Sequence, residues 1–149
     1  MNVQFFDIAA RKAWMGLLAR TPPARLAELL PNLPDHVVLR GPEVGAVMVR
    51  GRVGGNGQPF NLGEMTVTRC SVRLNGGGVG HAHVQGRDKS HALRAAVLDA
   101  LMQTDQAADL DARILAPLRN AESAARSLRS AKAAATKVEF FTLVRGEDK

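Results

Sequence analysis

Met65-Thr-Val-Thr-Arg-Cys-Ser-Val-Arg-Leu74 is the stretch whose reading decides the fold. Thr66, Thr68, Cys70, Val72 and Leu74 alternate with Met65, Val67, Arg69, Ser71 and Arg73. A period of two sends successive side chains to opposite faces of a strand. Asn75-Gly76 follows, which is hairpin-turn chemistry, and then Gly80, Ala82 and Val84 alternate with Val79, His81, His83 and Gln85. Upstream, Val47, Val49 and Val53 alternate with Met48, Arg50 and Arg52, and the glycines of Gly54–Gln58 make the next turn. From Val37 to Gly86 the chain therefore reads as an antiparallel meander with one buried and one polar face.

On either side the period changes to that of helices. Residues 4–20 place Phe6, Ala10, Ala13, Trp14, Leu17 and Leu18 on one stripe, and Thr21-Pro22-Pro23 ends it. Thr21 is expected to N-cap a second short helix that buries Leu26, Leu29 and Leu30 and stops at Pro31. After the meander, Asp88 is the expected N-cap of a helix with Leu93, Ala96, Val97, Ala100 and Leu101 inward. A long, weakly apolar helix is expected over Asp109–Ala135, kinked near Pro117, and Val138–Val144 reads as a final strand. The fold class is α+β: an antiparallel sheet of about four to five strands with helices packed on one face, a long C-terminal helix and a final strand. One domain is expected over residues 1–149, with helices over 4–31, the meander over 36–86, helices over 88–135 and a strand over 138–144.

Composition narrows the partners. The formal net charge of +6 favours anionic ones: nucleotides, phosphorylated substrates, nucleic acid or an acidic protein surface. There is no Tyr and one Trp, so the aromatic platforms of single-strand nucleic-acid binders are scarce. Cys70, the single cysteine, excludes an internal disulfide and a four-cysteine metal site, and reads as a small buried hydrophobe. No apolar run approaches the ~20 residues needed to span a bilayer, so no membrane association is expected. The first residues do not read as a signal peptide, and a cytoplasmic address is the expectation.

The candidate site residues lie on the meander. Arg50 with Arg52, Arg69 with Arg73 and His81 with His83 each share a face of their own strand. If the registers align, all six form one basic face, suited to phosphate because a guanidinium donates two parallel hydrogen bonds. A solvated sheet face and a face docked on a partner protein are the alternatives. His81 and His83 have the spacing of two metal ligands on a strand, with Glu64 as a possible third, but no metal site is expected. The Gly54–Gln58 turn leads into a strand rather than a helix with a leading Lys, so it is not a phosphate loop. From residues alone the chain is a basic α+β domain that meets anions or a partner.

Four strings carry a resemblance. RKAWMGLLAR at Arg11–Arg20, LRGPEVGAVMVRGRVGGNGQPFNLGEMTVTRCSVRL at Leu39–Leu74, GHAHVQGRDKSHALRAAVLDALMQ at Gly80–Gln103 and KVEFFTLVRG at Lys137–Gly146 are similar to the G subunit of the carbon–phosphorus lyase core complex. The resemblance implies an accessory subunit working with the H, I and J subunits and an ATP-binding-cassette partner in organic phosphonate catabolism. It implies support for transfer of an alkylphosphonate onto the ribose of ATP with release of adenine. ATP would be a substrate of the complex; no cofactor is expected on this chain alone, and no catalytic residue is transferred to it. Two other classes compete: a free-standing basic nucleic-acid-binding module, and a stand-alone enzyme using Glu64 with His81 or His83.

Overall fold

The computed structural model describes residues 7–137; Phe6 with the start of the helix expected from residue 4, and the strand expected over Val138–Val144, lie outside them. Three strands are present among the described residues: β1 (His36–Arg52), β2 (Pro59–Leu74) and β3 (Val79–Gln85), antiparallel in the order β1-β2-β3. The fold is the expected α+β arrangement, with fewer and longer strands. β1 and β2 are single strands of 17 and 16 residues.

The turns form where the glycines require them. Gly54 and Gly55 take positive φ in the β1–β2 turn, and Gly77 does so between β2 and β3. That left-handed region costs a side chain energy and costs glycine nothing. β3 pairs only with Val67–Arg73 of β2. Among the described residues, 59–66 of β2 therefore have β1 as their one neighbour, and that half of the hairpin is a two-stranded ribbon.

Helix α3 (Lys89–Leu101) covers the inner face of the sheet. Asp88 caps it as expected, its carboxylate accepting from His91 N at 2.8 Å. Ala96, Val97, Ala100 and Leu101 are buried as expected, and so are Ala92, Ala95 and Leu98, because α3 is sandwiched between the sheet and α1–α2. Its approach to β3 is set by Gly80: a Cβ there would lie 1.9 Å from the Ala96 carbonyl oxygen and 2.5 Å from Ala100 N. Cys70, Val72 and Leu74 complete this core as expected, with Thr68 buried beside them.

Helix α1 (Ile8–Arg20) buries Trp14, Leu17 and Leu18, but Ala10 and Ala13 are exposed. They line an open groove toward the C-terminal helices, so the expected stripe narrows to the second half of α1. Thr21 does not N-cap the next helix. Its hydroxyl donates to the Leu17 carbonyl at 2.8 Å and closes α1, while α2 (Pro23–Leu29) begins on prolines that have no N–H to cap. In α2 only Leu26 is fully buried.

The long C-terminal helix is interrupted. A short α4 (Ala107–Leu110) passes through one wide π turn (Asp111–Leu115) into α5 (Ala116–Ala135). Pro117 sits in the first turn of α5, where its missing N–H is tolerated, and the widened turn immediately precedes it. Of α5, only Leu118 is buried. Arg20 Nε donates to Glu122 at 2.6 Å, tying α5 to α1, and Arg119 forks onto Asp111 at 2.8 and 2.7 Å.

Candidate functional site

The register divides the expected basic face in two. Arg69 lies opposite His83, Ser71 opposite His81 and Arg73 opposite Val79. Cross-strand partners share a face, with Cβ atoms about 5 Å apart, so Arg69, Ser71, Arg73, His81 and His83 form one contiguous polar patch. Arg50 and Arg52 lie opposite Asn61 and Pro59. They are eight to ten residues along β2 from Arg69, about 26–33 Å at about 3.3 Å per residue. They also sit on the other face. Arg69 pairs with Glu43, and β1 runs regularly from Glu43 to Val49, so odd-numbered residues share the Arg69 side while Arg50 and Arg52 do not. Glu64 pairs with Met48 on that opposite face and does not approach His81 or His83.

Within the patch the groups are unequal. Arg69 is already ion-paired: its Nη2 donates to Glu43 Oε1 at 3.1 Å, a carboxylate it shares with Arg40. Its Nε is buried without a partner. Ser71 Oγ lies 2.8 Å from His81 Nδ1. Arg73 is exposed and has no partner among the described residues. The patch thus presents an exposed guanidinium at Arg73, with the Ser71–His81 pair beside it on the same face. Among the described residues no group of three His, Cys, Asp or Glu side chains is arranged to hold a metal ion.

The patch is anchored from beneath by a residue the sequence reading passed over. Asp99, fully buried on α3, accepts from Arg11 Nε at 3.2 Å and Arg11 Nη2 at 2.7 Å. It also accepts from Trp14 Nε1 at 2.8 Å and from the His81 backbone N–H at 2.9 Å. Arg11 Nη2 and Gln103 Nε2 both donate to the Val79 carbonyl, at 3.1 and 2.8 Å. One carboxylate therefore joins α1, α3 and β3 and sets the position of His81. Its sequence signal is a lone acid inside an otherwise apolar helix stripe, which burial tolerates only with a partner. His91 is a second buried polar group: its Nε2 donates to the Leu18 carbonyl at 2.9 Å, satisfying one of the acceptors that the end of α1 leaves open.

Cys70 is buried on the inner face, and that burial pushes its thiol above the ordinary range, opposed by a backbone hydrogen bond at Ser71. It is a packing residue. A second hollow, about 560 Å³, lies between the Ala19–Pro23 corner and Val47, Met65, Val67, His83 and Gln85.

The molecule is a small α+β domain with a polar strand face of Arg69, Ser71, Arg73, His81 and His83 beside a two-stranded ribbon. The chain belongs to the family of the phosphonate metabolism protein PhnG, whose model matches residues 9–146. It is 46% identical over 145 residues to the alpha-D-ribose 1-methylphosphonate 5-triphosphate synthase subunit PhnG of Rhizobium meliloti (strain 1021), covering 95% of this chain and 92% of that one. Among the described residues no helix is long and apolar enough to cross a membrane.

Proposed function

We propose that this chain is an accessory subunit of a ribose 1-phosphonate 5-triphosphate synthase. In this reading it supports transfer of an alkylphosphonate onto the ribose of ATP, with release of adenine. The observation that carries the reading is the 46% identity, across 95% of the chain, to a protein named as a subunit of such a synthase. Its partners would be the H, I and J subunits and an ATP-binding-cassette protein, in the cytoplasm, with the main active site on a partner. ATP enters as substrate of the assembly.

The geometry supports a supporting role in anion handling. ATP, a phosphonate and the triphosphate product are all anionic, and Arg73 with Ser71 and His81 offers a free guanidinium and two hydrogen-bonding groups on one exposed face. Arg69 and His83 flank them, with Glu43 holding Arg69 in place. This arrangement favours the phosphonate reading over a free-standing nucleic-acid module, since the basic residues are split between two faces rather than gathered in one stripe.

Co-expression of the chain with its three partner subunits tests the assignment. One stable complex that releases adenine from ATP plus phosphonate is the expected result, and a chain that stays apart from them overturns it. Arg73→Ala should lower adenine release by the complete system about 10-fold or more, the scale of one lost charge-assisted contact. Arg69→Ala should act less on turnover, because its carboxylate partner is on this chain.

A further inference from the structure

Among the described residues, the outer half of the β1–β2 ribbon has the least support from the rest of the fold. Among those residues it is a two-stranded hairpin beyond Val67, and an isolated hairpin is marginally stable in water at best. Both of its edges carry unpaired backbone groups among the described residues, a pattern that invites another chain. It is also apolar. Leu62, Val53, Met48 and Phe60 are 66%, 62%, 53% and 42% exposed. A run of exposed large apolar side chains on one projecting element marks an interaction surface.

The two faces of the ribbon differ. Phe60 and Leu62 crowd the side of Gly51, where an added Cβ would lie 3.4 Å from the Phe60 ring and 3.9 Å from Leu62 Cβ. That side continues into Val49, Val47 and Met65. The bulge that skips Leu62 between the Val49–Gly63 and Arg50–Asn61 pairs keeps Leu62 with Phe60 on this side. The opposite face carries Met48, Glu64, Arg50 and Arg52. Arg52 Nη1 donates to the Gly57 carbonyl at 3.0 Å and braces the turn, whereas Arg50 has no partner among the described residues.

We propose that this ribbon is a docking arm that inserts into a groove of another subunit of the synthase. The occupant's chemistry follows from the arm: an apolar wall against Val49, Phe60 and Leu62, and carboxylates opposite Arg50 on the other side. The inference rests on the subunit reading above and adds to it the surface through which the chain joins. It also gives Arg50 a role separate from that of Arg73: Arg50 meets protein, and Arg73 meets the anionic ligand.

The test uses the full chain and the purified remaining subunits of the complex. Leu62 is largely exposed, so Leu62→Glu should leave the circular dichroism and melting temperature of the isolated chain unchanged. It should weaken assembly about 30-fold or more, the scale of a lost hot-spot contact. Arg50→Glu should weaken assembly less and remove part of its salt dependence. If wild type assembles and both variants assemble equally well, the docking arm is overturned and the subunit reading stands. If wild type itself fails to assemble, both are overturned. If the isolated wild type dimerises, Leu62→Glu is monomeric and assembly is untouched, the arm pairs with a second copy and the proposal is again overturned.

Discussion

Replacing Asp99 by Ala is the most informative single perturbation of this fold. The carboxylate is fully buried and takes four hydrogen bonds from three donors, Arg11, Trp14 and the His81 backbone. Removing it takes from the Trp14 and His81 N–H groups the carboxylate that accepts from both, at about 1–3 kcal/mol each. Arg11 suffers less, because its side chain is 30% exposed and can turn toward water. The sum is about 3–5 kcal/mol, the range for breaking a buried ion pair by deleting one partner. For a chain of this size that is a fall in melting temperature of roughly 6–20 °C. Asp99→Asn keeps the volume and one acceptor but turns an amide NH₂ toward a donor, and should cost about 2–3 kcal/mol. Urea titrations followed by circular dichroism measure the loss, and the fluorescence of Trp14, the only tryptophan, reports the node itself. An Asp99→Ala variant within about 1 kcal/mol of wild type would refute the claim that this carboxylate holds α1, α3 and β3 together.

Gly80→Ala should destabilise by about 3 kcal/mol or more, since the atoms it meets are α3 backbone, whereas Gly76→Ala, which meets nothing within 4 Å, should stay within about 0.5 kcal/mol; parallel thermal melts compare them. The acid limb tests the α1–α5 tie. The Arg20 hydrogen bond holds Glu122 below the usual carboxylate range against a smaller opposing effect of desolvation, with charge attraction from Arg20 and Arg126 adding to it. A depressed folded value means stability that is present above pH ~4.3 and lost as pH falls through the folded value. Glu122→Gln should therefore lose less stability than wild type between pH 5 and 3 (roughly), by at most ~1 kcal/mol for an exposed pair; equal losses in urea titrations at the two pH values would contradict this. Cys70 should resist a thiol reagent at neutral pH in the native chain and react fully in denaturant, and rapid native labelling would show that its burial is wrong.

The amino-acid sequence by itself determined what is local. The period of two from Thr68 to Leu74 gave the strand and its inner face, although Val67, on the polar side of the alternation, is also buried and Thr66 is only half-buried; Asp88 gave the start of α3, and the glycines of Gly54–Gln58 gave the turn. Those signals suffice because alternation, capping and positive φ are settled within a few residues. The extended motifs at Leu39–Leu74 and Gly80–Gln103 also carried the family resemblance. What only the tertiary structure decided is which strands lie opposite which. Alternation says that Arg50 and Arg52 share a face, and that Arg69 and Arg73 share a face, but not that the two faces are the same. Pairing of Glu43 with Arg69 and of Arg50 with Asn61 put them on opposite sides of the sheet and far apart. The partners of Asp99 were hidden for the same reason: Arg11 and His81 lie 88 and 18 residues away in the chain, and only packing of α1 and β3 against α3 brings their donors to one buried carboxylate.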